Sequence, residues 1–387
     1  MEIQSYKSKA LKILSPIQPA IKAVEIPDIF FRVDCRSKAG YQLPVYYLVY
    51  FLFADLLEFP NLGKFEKIAW SFPIDYKGKT FLVEYRKMGL GIFVQNLATD
   101  ETAAEEIVRK INGAVKSARP FYDYIAAEAI KKSNLNVNNN NRKLFARFNF
   151  LLEQYKTESG LAAFSRNKYE TKTEVTKFSK VANSLSLSYK HDEKANWYAI
   201  SCVEAFFSWT EHLFIHLAII AEGLADGEMI TRLIEAEWKD KFRAAITDTS
   251  KTAVKFLDEL LLVRQQLRNF VAHGAFGKEG NAFSFHSKTG AVPVIVNYKR
   301  QRNRFSLQGG LVFNDGETIA LIGGFIMYLQ TGSLKPAMFY TQESDLPTIV
   351  PYAANGFYQA LCDDMETMER YCYELQQQLD DAANMDW

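Results

Sequence analysis

The sequence predicts an α+β protein: an N-terminal α+β domain followed by a mainly α-helical bundle that carries a β-hairpin insertion. Three observations predict it. Apolar residues alternate through Ile68, Trp70 and Phe72, pause at the turn-forming "YKGK", and alternate again through Phe81, Val83 and Tyr85, which is the period of half-buried strands. Beyond about residue 193, long apolar stretches repeat every three to four positions, the helical period. Between them lies "KKSNLNVNNNNRK", Lys131 to Lys143, whose Asn run favours turns over helix. These divide the chain into an α+β domain over 1–130, an Asn-rich linker and helical connector over 131–190, and a helical domain over 191–387 with a strand-rich insertion near 281–314.

Composition bounds the function. A chain of 387 residues, 48% hydrophobic and 24% charged, can bury large cores. A net charge of +1 leaves room for nucleic acid only at a local basic patch. Cys35, Cys202, Cys362 and Cys372 are far apart, with no C-x-x-C pair, which argues against a disulfide framework or zinc ribbon and fits a reducing cytoplasm. "MEIQSYKSKALKIL" lacks the apolar core of a signal peptide. The most apolar run, "VYYLVYFLFADLLEF", is interrupted by Asp55 short of the ~18 residues that span a bilayer, and reads as a buried helix.

In order along the chain, "TDETAAEEIVRKINGAVKSARPFYDYIAAEAI" reads as one helix with acidic residues crowding its first turns, where the helix dipole favours them. "RKLFARFNFLLEQYK" reads as helix, and Thr157–Lys190 holds a helix or two that its pattern does not place. A long apolar helix runs from about Glu193 to Gly223 and a shorter one from about Glu228 to Ile246. The next begins at Thr249 or Ser250, either of which can cap it. Phe256, Leu260, Val263, Leu267 and Phe270 mark its buried face, and Gly274 is a natural stop. Strands follow through "NAFSFHSKTGAVPVIVNYKRQRNRFSLQGGLVF"; then "ETIALIGGFIMYLQTG" returns to helix and "YQALCDDMETMERYCYELQQQLDD" reads as one long helix.

The end of the third main helix, "LRNFVAHGAFG", raises the functional question, because a core helix needs neither Arg268, Asn269 nor His273. Asn269 and His273 are four apart and share a face. Arg268 lies about 140° round from His273, but its side chain is long, so all three can meet one phosphate. RNA is cut without metal when its 2′-OH attacks the adjacent phosphorus. A histidine can take or give the required proton near neutral pH, and a guanidinium matches the charge gathering on the phosphoryl oxygens. One histidine supplies one proton-transfer group, so two copies in a dimer would supply both. The same residues would also serve the dipole and last carbonyls of an ordinary helix end.

The helical bundle with "LRNFVAHG" closing a central helix and a β insertion behind it resembles the HEPN superfamily, over roughly Glu193 to the last residue. That resemblance implies a metal-independent endoribonuclease, with no cofactor, of a bacterial anti-phage, abortive-infection or toxin system. Arg268 and His273 would be its catalytic pair at a homodimer interface. It also allows the alternative that members of the superfamily include: a non-catalytic RNA- or nucleotide-binding, assembly or antitoxin-like module. No family is recognised over the N-terminal half, which is expected to sense or restrain through a regulatory partner or phage trigger.

Other constellations are weighed beside it. Ser201, Glu204, Ser208 and Glu211 fall within about 80° on the long helix, as a solvent face or as the wall of an active groove. By resemblance Glu204 would orient His273 or hold Arg268. "YKRQRNRF" carries Lys299, Arg300, Arg302 and Arg304 between aromatics, which suits RNA backbone and base, or a charged edge strand. Arg264 joins this RNA-contacting set. His212 and His216 have metal-ligand spacing but no evident third ligand, so packed imidazoles are expected. His191 is expected near a helix start and His286 on an exposed strand. "YKGKTF" is no P-loop, since Pro73 stands where its first Gly belongs, and the "GLG" at Gly89–Gly91 lacks the third Gly of a dinucleotide fingerprint.

Overall fold

The computed structural model describes residues 3–20, 35–170, 178–273, 284–287, 290–293, 305–307, 311–313 and 315–385; for 167–170, 178–186, 266, 268–273 and the strands between 284 and 313 it describes the backbone. The fold is α+β, with a helical C-terminal region. Residues 1–132 with 373–387 form one compact unit and residues 133–372 the other.

The first unit contains α1 (Ile3–Leu14), β1 (Gln18–Pro19), α2 (Tyr46–Tyr50, widening into a π turn to Leu56), β2 (Ile68–Tyr76), β3 (Lys79–Arg86), β4 (Gly89–Phe93), α3 (Leu97–Ser117) and α4 (Arg119–Lys131). The four strands form an antiparallel sheet in sequence order. The hairpin of β2 and β3 turns at Lys77 and Gly78, both at positive φ, with Gly78 N–H donating to Asp75. Trp70, Phe72, Ile74, Phe81 and Val83 share one face, packed in a core with Leu14, Val49, Phe53, Ile107 and Ile111. On the other face Ser71 donates to the buried Glu84 at 2.6 Å, and Glu84 pairs with Arg86 at 2.6 Å. The "VYYLVYFLFADLLEF" run supplies buried Val49, Leu52, Phe53 and Leu56 from its helical turns. Lys67 N–H donates to the Met385 carbonyl, and Met385 is buried, so residues near 385 belong to this unit.

The second unit contains β5 (Asn136–Val137), α5 (Asn141–Glu170), α6 (Phe178–Ile220), α7 (Gly227–Glu235), α8 (Trp238–Ala245) and α9 (Lys251–His273). The short pairs β6 (Ser284–Ser287) with β7 (Gly290–Pro293), and β8 (Phe305–Leu307) with β9 (Leu311–Phe313), make the expected hairpin insertion. Then follow α10 (Asp315–Leu329), α11 (Lys335–Met338), β10 (Thr348–Ile349), α12 (Val350–Ala354), α13 (Phe357–Cys362) and α14 (Met365–Asn384), the last of which crosses the unit boundary at Tyr373. α5 packs antiparallel along α6, with Ser188 donating to the Ala162 carbonyl and Phe148 packed on Phe206 and Trp209. The core gathers Phe207, Phe214, Trp238, Phe242 and Phe325. No helix among the described residues is long and apolar enough to cross a membrane.

Several elements differ from the sequence expectation, each for a local reason. The helix expected from Thr99 onward is two, broken at Ala118 beside Pro120, which has no N–H to continue the ladder. The helix expected over 228–246 is also two, parted by extended Ala236 and Glu237. The last helix is parted at Asp363 and Asp364, where the Asp364 carboxylate accepts from the Thr367 N–H and starts a new helix. The long helix starts at Phe178 rather than near Glu193. The Asn tract is no free linker: β5 pairs with β10, Asn139 donates to the Thr341 and Leu346 carbonyls, and its side chain accepts from Asn141 N–H at the start of α5. Residues 133–190 thus belong to the second unit, and 373–387 to the first.

Candidate functional site

α9 is set in place from its first turn. Ser250 caps it, accepting from Ala253 N–H at 3.2 Å, and is itself held by Asp248. Leu260, Val263 and Leu267 are buried along it, while Phe256 is half-buried against Phe325 and Tyr328. The backbone of α9 carries Arg268 and Asn269 in its last two turns and ends, within the described residues, at His273. The side chains of Arg268, Asn269, His273 and Phe270 lie outside the described residues, as do Gly274 and the whole of Lys299, Arg300, Arg302 and Arg304. For His286 the structure describes a strand backbone in β6.

α6 and α9 run antiparallel. Thr247, before α9, donates to Glu222, after α6, at 3.0 Å; farther along, Arg264 donates to Glu211 at 2.6 Å. Moving from Arg264 toward His273 therefore moves toward the N-terminal side of Glu211 on α6. Arg268 is about 6 Å beyond Arg264 along α9, while Ser208 and Glu204 are about 4 Å and 10 Å beyond Glu211 along α6. The motif backbone and Glu204 thus lie at the same end of this helix pair. Glu204 and Ser208 are exposed, and Ser201 and Glu211 half-buried.

Arg264, expected to contact RNA, is engaged within the unit. Its guanidinium pairs with Glu211 and lies 5.9 Å from the Phe207 ring. Lys241, nearly buried, approaches the same carboxylate at 4.0 Å. Glu211 therefore sits between two cations and joins α6, α8 and α9. With both partners of the Glu211–Arg264 pair about a third exposed, Glu211→Gln is expected to lower unfolding free energy by about 1 kcal/mol or less in denaturant melts. A loss several times larger would mean the trio is far more shielded than this.

The histidine pair on α6 is a packed polar knot. His216 is fully buried, with Nδ1 2.7 Å from the Thr348 hydroxyl and Nε2 3.1 Å from His212 Nε2. His212 Nε2 accepts from Asn140 N–H at 2.9 Å. Burial lowers the pKa of His212, and burial with the neighbouring His212 pushes His216 down to about 3. Both rings are therefore neutral hydrogen-bonding groups that tie α6 to the Asn tract and to β10. No group of three or more His, Cys, Asp or Glu side chains among the described residues could hold a metal ion. His191 is half-buried on α6, within hydrogen-bonding distance of Glu158 at 2.5 Å.

The four cysteines are free thiols. Burial pushes Cys202 and Cys362 up to about 12 and Cys372 to about 11, so none of these three offers a thiolate near neutral pH. A shallow open depression of about 350 Å³ runs beside Lys251, Lys255, Asp258 and Glu259, at the end of α9 opposite the motif. Two lysines lie toward the start of α9 and two carboxylates beyond them, and no histidine or cysteine lines it.

The sequence reading missed the Glu211–Arg264–Lys241 trio, which joins residues 30 to 53 apart in the chain. It also missed the partners of the histidine pair, Asn140 and Thr348, because nothing in local spacing signals contacts made 72 and 132 positions away. Comparison with family models, with characterised proteins and with solved structures gave no match.

Proposed function

We propose that the second unit is a metal-independent endoribonuclease acting as a homodimer, in the cytoplasm of a bacterium, within an anti-phage, abortive-infection or toxin system. The observation that carries the reading is the R-N-x-x-x-H motif in the last two turns of α9, at the end of the α6–α9 pair where Glu204 stands exposed. The RNA 2′-OH attacks phosphorus while a base removes its proton; the P–O5′ bond breaks and an acid protonates the departing 5′-oxygen. The products are a 2′,3′-cyclic phosphate and a 5′-OH. His273 from each protomer supplies one of the two proton transfers, and Arg268 neutralises the phosphoryl oxygens. Asn269 holds His273 or donates to phosphate, and Glu204 orients the pair. Lys299, Arg300, Arg302 and Arg304 hold the RNA, with Arg264 at the rim of the site. The first unit restrains the nuclease until a regulatory partner or phage trigger engages it.

The alternative is a non-catalytic RNA- or nucleotide-binding module, and the neutralised Arg264 is the observation in its favour. Expression of wild type beside His273→Ala and Arg268→Ala, following growth and total RNA, separates the two. The expected result is growth arrest with RNA fragments from wild type alone, and a loss of cleavage of about 10²-fold or more in each variant. Equal arrest from wild type and His273→Ala would remove His273 as the catalyst. RNA bound but uncut by purified wild type, with and without trigger, would leave the binding module.

A further inference from the structure

We infer that the outer face of α5 is a contact between two copies of this chain, seamed as an antiparallel helix pair. Phe148, Tyr155 and Ala162 are buried on one side of α5, where Phe148 packs on Phe206 and Ser188 reaches the Ala162 carbonyl. Phe150, Gln154, Thr157, Leu161 and Phe164 lie on the opposite side, within about 80° of one another. Their spacing of four, three, four and three is the seam of paired helices. Phe150 is 62% exposed, Leu161 42% and Phe164 65%. A helix that is apolar on two opposite sides suits two neighbours, and α6 is one of them. Phe206 and Ser188, which meet α5, stand about 160° round α6 from Glu204. The outer face of α5 is therefore separate from the motif end of α9, and its role does not rest on the ribonuclease reading.

The occupant is a second copy because the seam is its own complement. With the two helices antiparallel about an axis between residues 155 and 156, Phe150 meets the partner's Leu161 and Gln154 meets the partner's Thr157. Apolar layers thus face apolar ones and polar layers polar ones. The Thr157 hydroxyl donates to the Glu153 carbonyl at 2.8 Å, so its oxygen is left to accept from the amide of the partner's Gln154. A polar layer at the centre of an apolar seam fixes register and copy number, and an unrelated apolar helix would leave it unpaired. Charge sets the direction. Arg142, Lys143 and Arg147 are exposed in the first turns of α5. A parallel pair would set both groups of cations side by side, whereas antiparallel copies place Arg147 over the ring of the partner's Phe164. At ~200 Å² for a whole ring, Phe150 and Phe164 leave roughly 250 Å² in water, and a seam of this length buries about 500 Å² per copy, the low end of specific interfaces. The pair therefore forms in the micromolar range. Where copies also meet through α9, two unlike two-fold contacts per chain build a tetramer or a longer array.

The test is sedimentation of the full chain from roughly 1 to 100 μM. Phe150→Lys with Phe164→Lys, both at exposed positions, is expected to weaken self-association by roughly tenfold or more. Gln154→Leu with Thr157→Leu should strengthen it by about tenfold as a discrete species, a gain that misfolding does not produce. A wild type larger than a dimer should return to a dimer in the lysine variant. Direction is read by cross-linking with a short bis-maleimide, the native thiols being buried or half-buried. Thr157→Cys, close to the axis, should be joined to its copy. Ala146→Cys, about 28 Å from its own copy along an antiparallel pair, should not be. A wild type that stays monomeric throughout would overturn the contact. A wild-type oligomer that the lysine variant leaves unchanged would overturn it too, since the copies would then meet elsewhere. Equal cross-linking at both positions would overturn the antiparallel seam.

Discussion

Trp238→Ala is expected to destabilise the second unit by about 3–5 kcal/mol, the usual cost of emptying a fully buried aromatic site. The indole is enclosed by Phe207, Phe214 and Phe242, and its Nε1–H donates to the Thr210 hydroxyl at 2.9 Å. Thr210 keeps its own bond to the Phe206 carbonyl, so most of the loss is volume and ring contact rather than an orphaned hydroxyl. The neighbouring rings cannot close the gap easily, because Phe214 and Phe242 also pack on Phe325 from α10. Trp238→Phe should recover part of the loss. Urea unfolding at neutral pH measures both, and a Trp238→Ala cost under about 1 kcal/mol would show that this core collapses around the missing ring.

Acid should unfold the second unit through His216. An imidazole whose folded pKa is about 3 stays neutral where the unfolded chain, with an ordinary value near 6.5, takes up a proton. The unfolded state then binds more protons, so stability is full above about pH 6.5 and falls as the pH drops from there toward 3. At pH 4.5 the loss from this one group is roughly 2–3 kcal/mol relative to neutral pH. The lowered pKa of His212 adds a loss of the same sign. Replacing the ring with His216→Gln should lower stability at pH 7, where the bond to Thr348 is disturbed, yet flatten the decline below pH 6.5. Unfolding free energies at both pH values for wild type and variant decide it. Parallel declines would assign the acid sensitivity elsewhere.

The legible parts of this fold were those set by short-range pattern. The alternation around "YKGK" marks the β2–β3 hairpin, and the three-and-four spacing of Leu260, Val263 and Leu267 marks the buried face of α9. Helix breaks were harder, because propensity does not weigh one capping carboxylate such as Asp364 against a good helical run. The Asn tract misled because composition registers the turn tendency of Asn, whereas its packed role depends on carbonyls of Thr341 and Leu346 some 200 positions away. In the candidate site, Arg268, Asn269 and His273 were visible as a motif at a helix end, and the pairing of Arg264 with Glu211 was not.

Both units close late during synthesis. The carbonyl that receives Lys67 N–H belongs to Met385, and the strand that pairs with β5 is β10, at residues 348–349. A chain made from its N-terminus has its first unit incomplete until residues 373–385 leave the ribosome, and the start of α5 waits for more than half of the protein behind it. The end of α9 thus emerges about 100 residues before the first unit's last segment, inside a unit that still lacks β10.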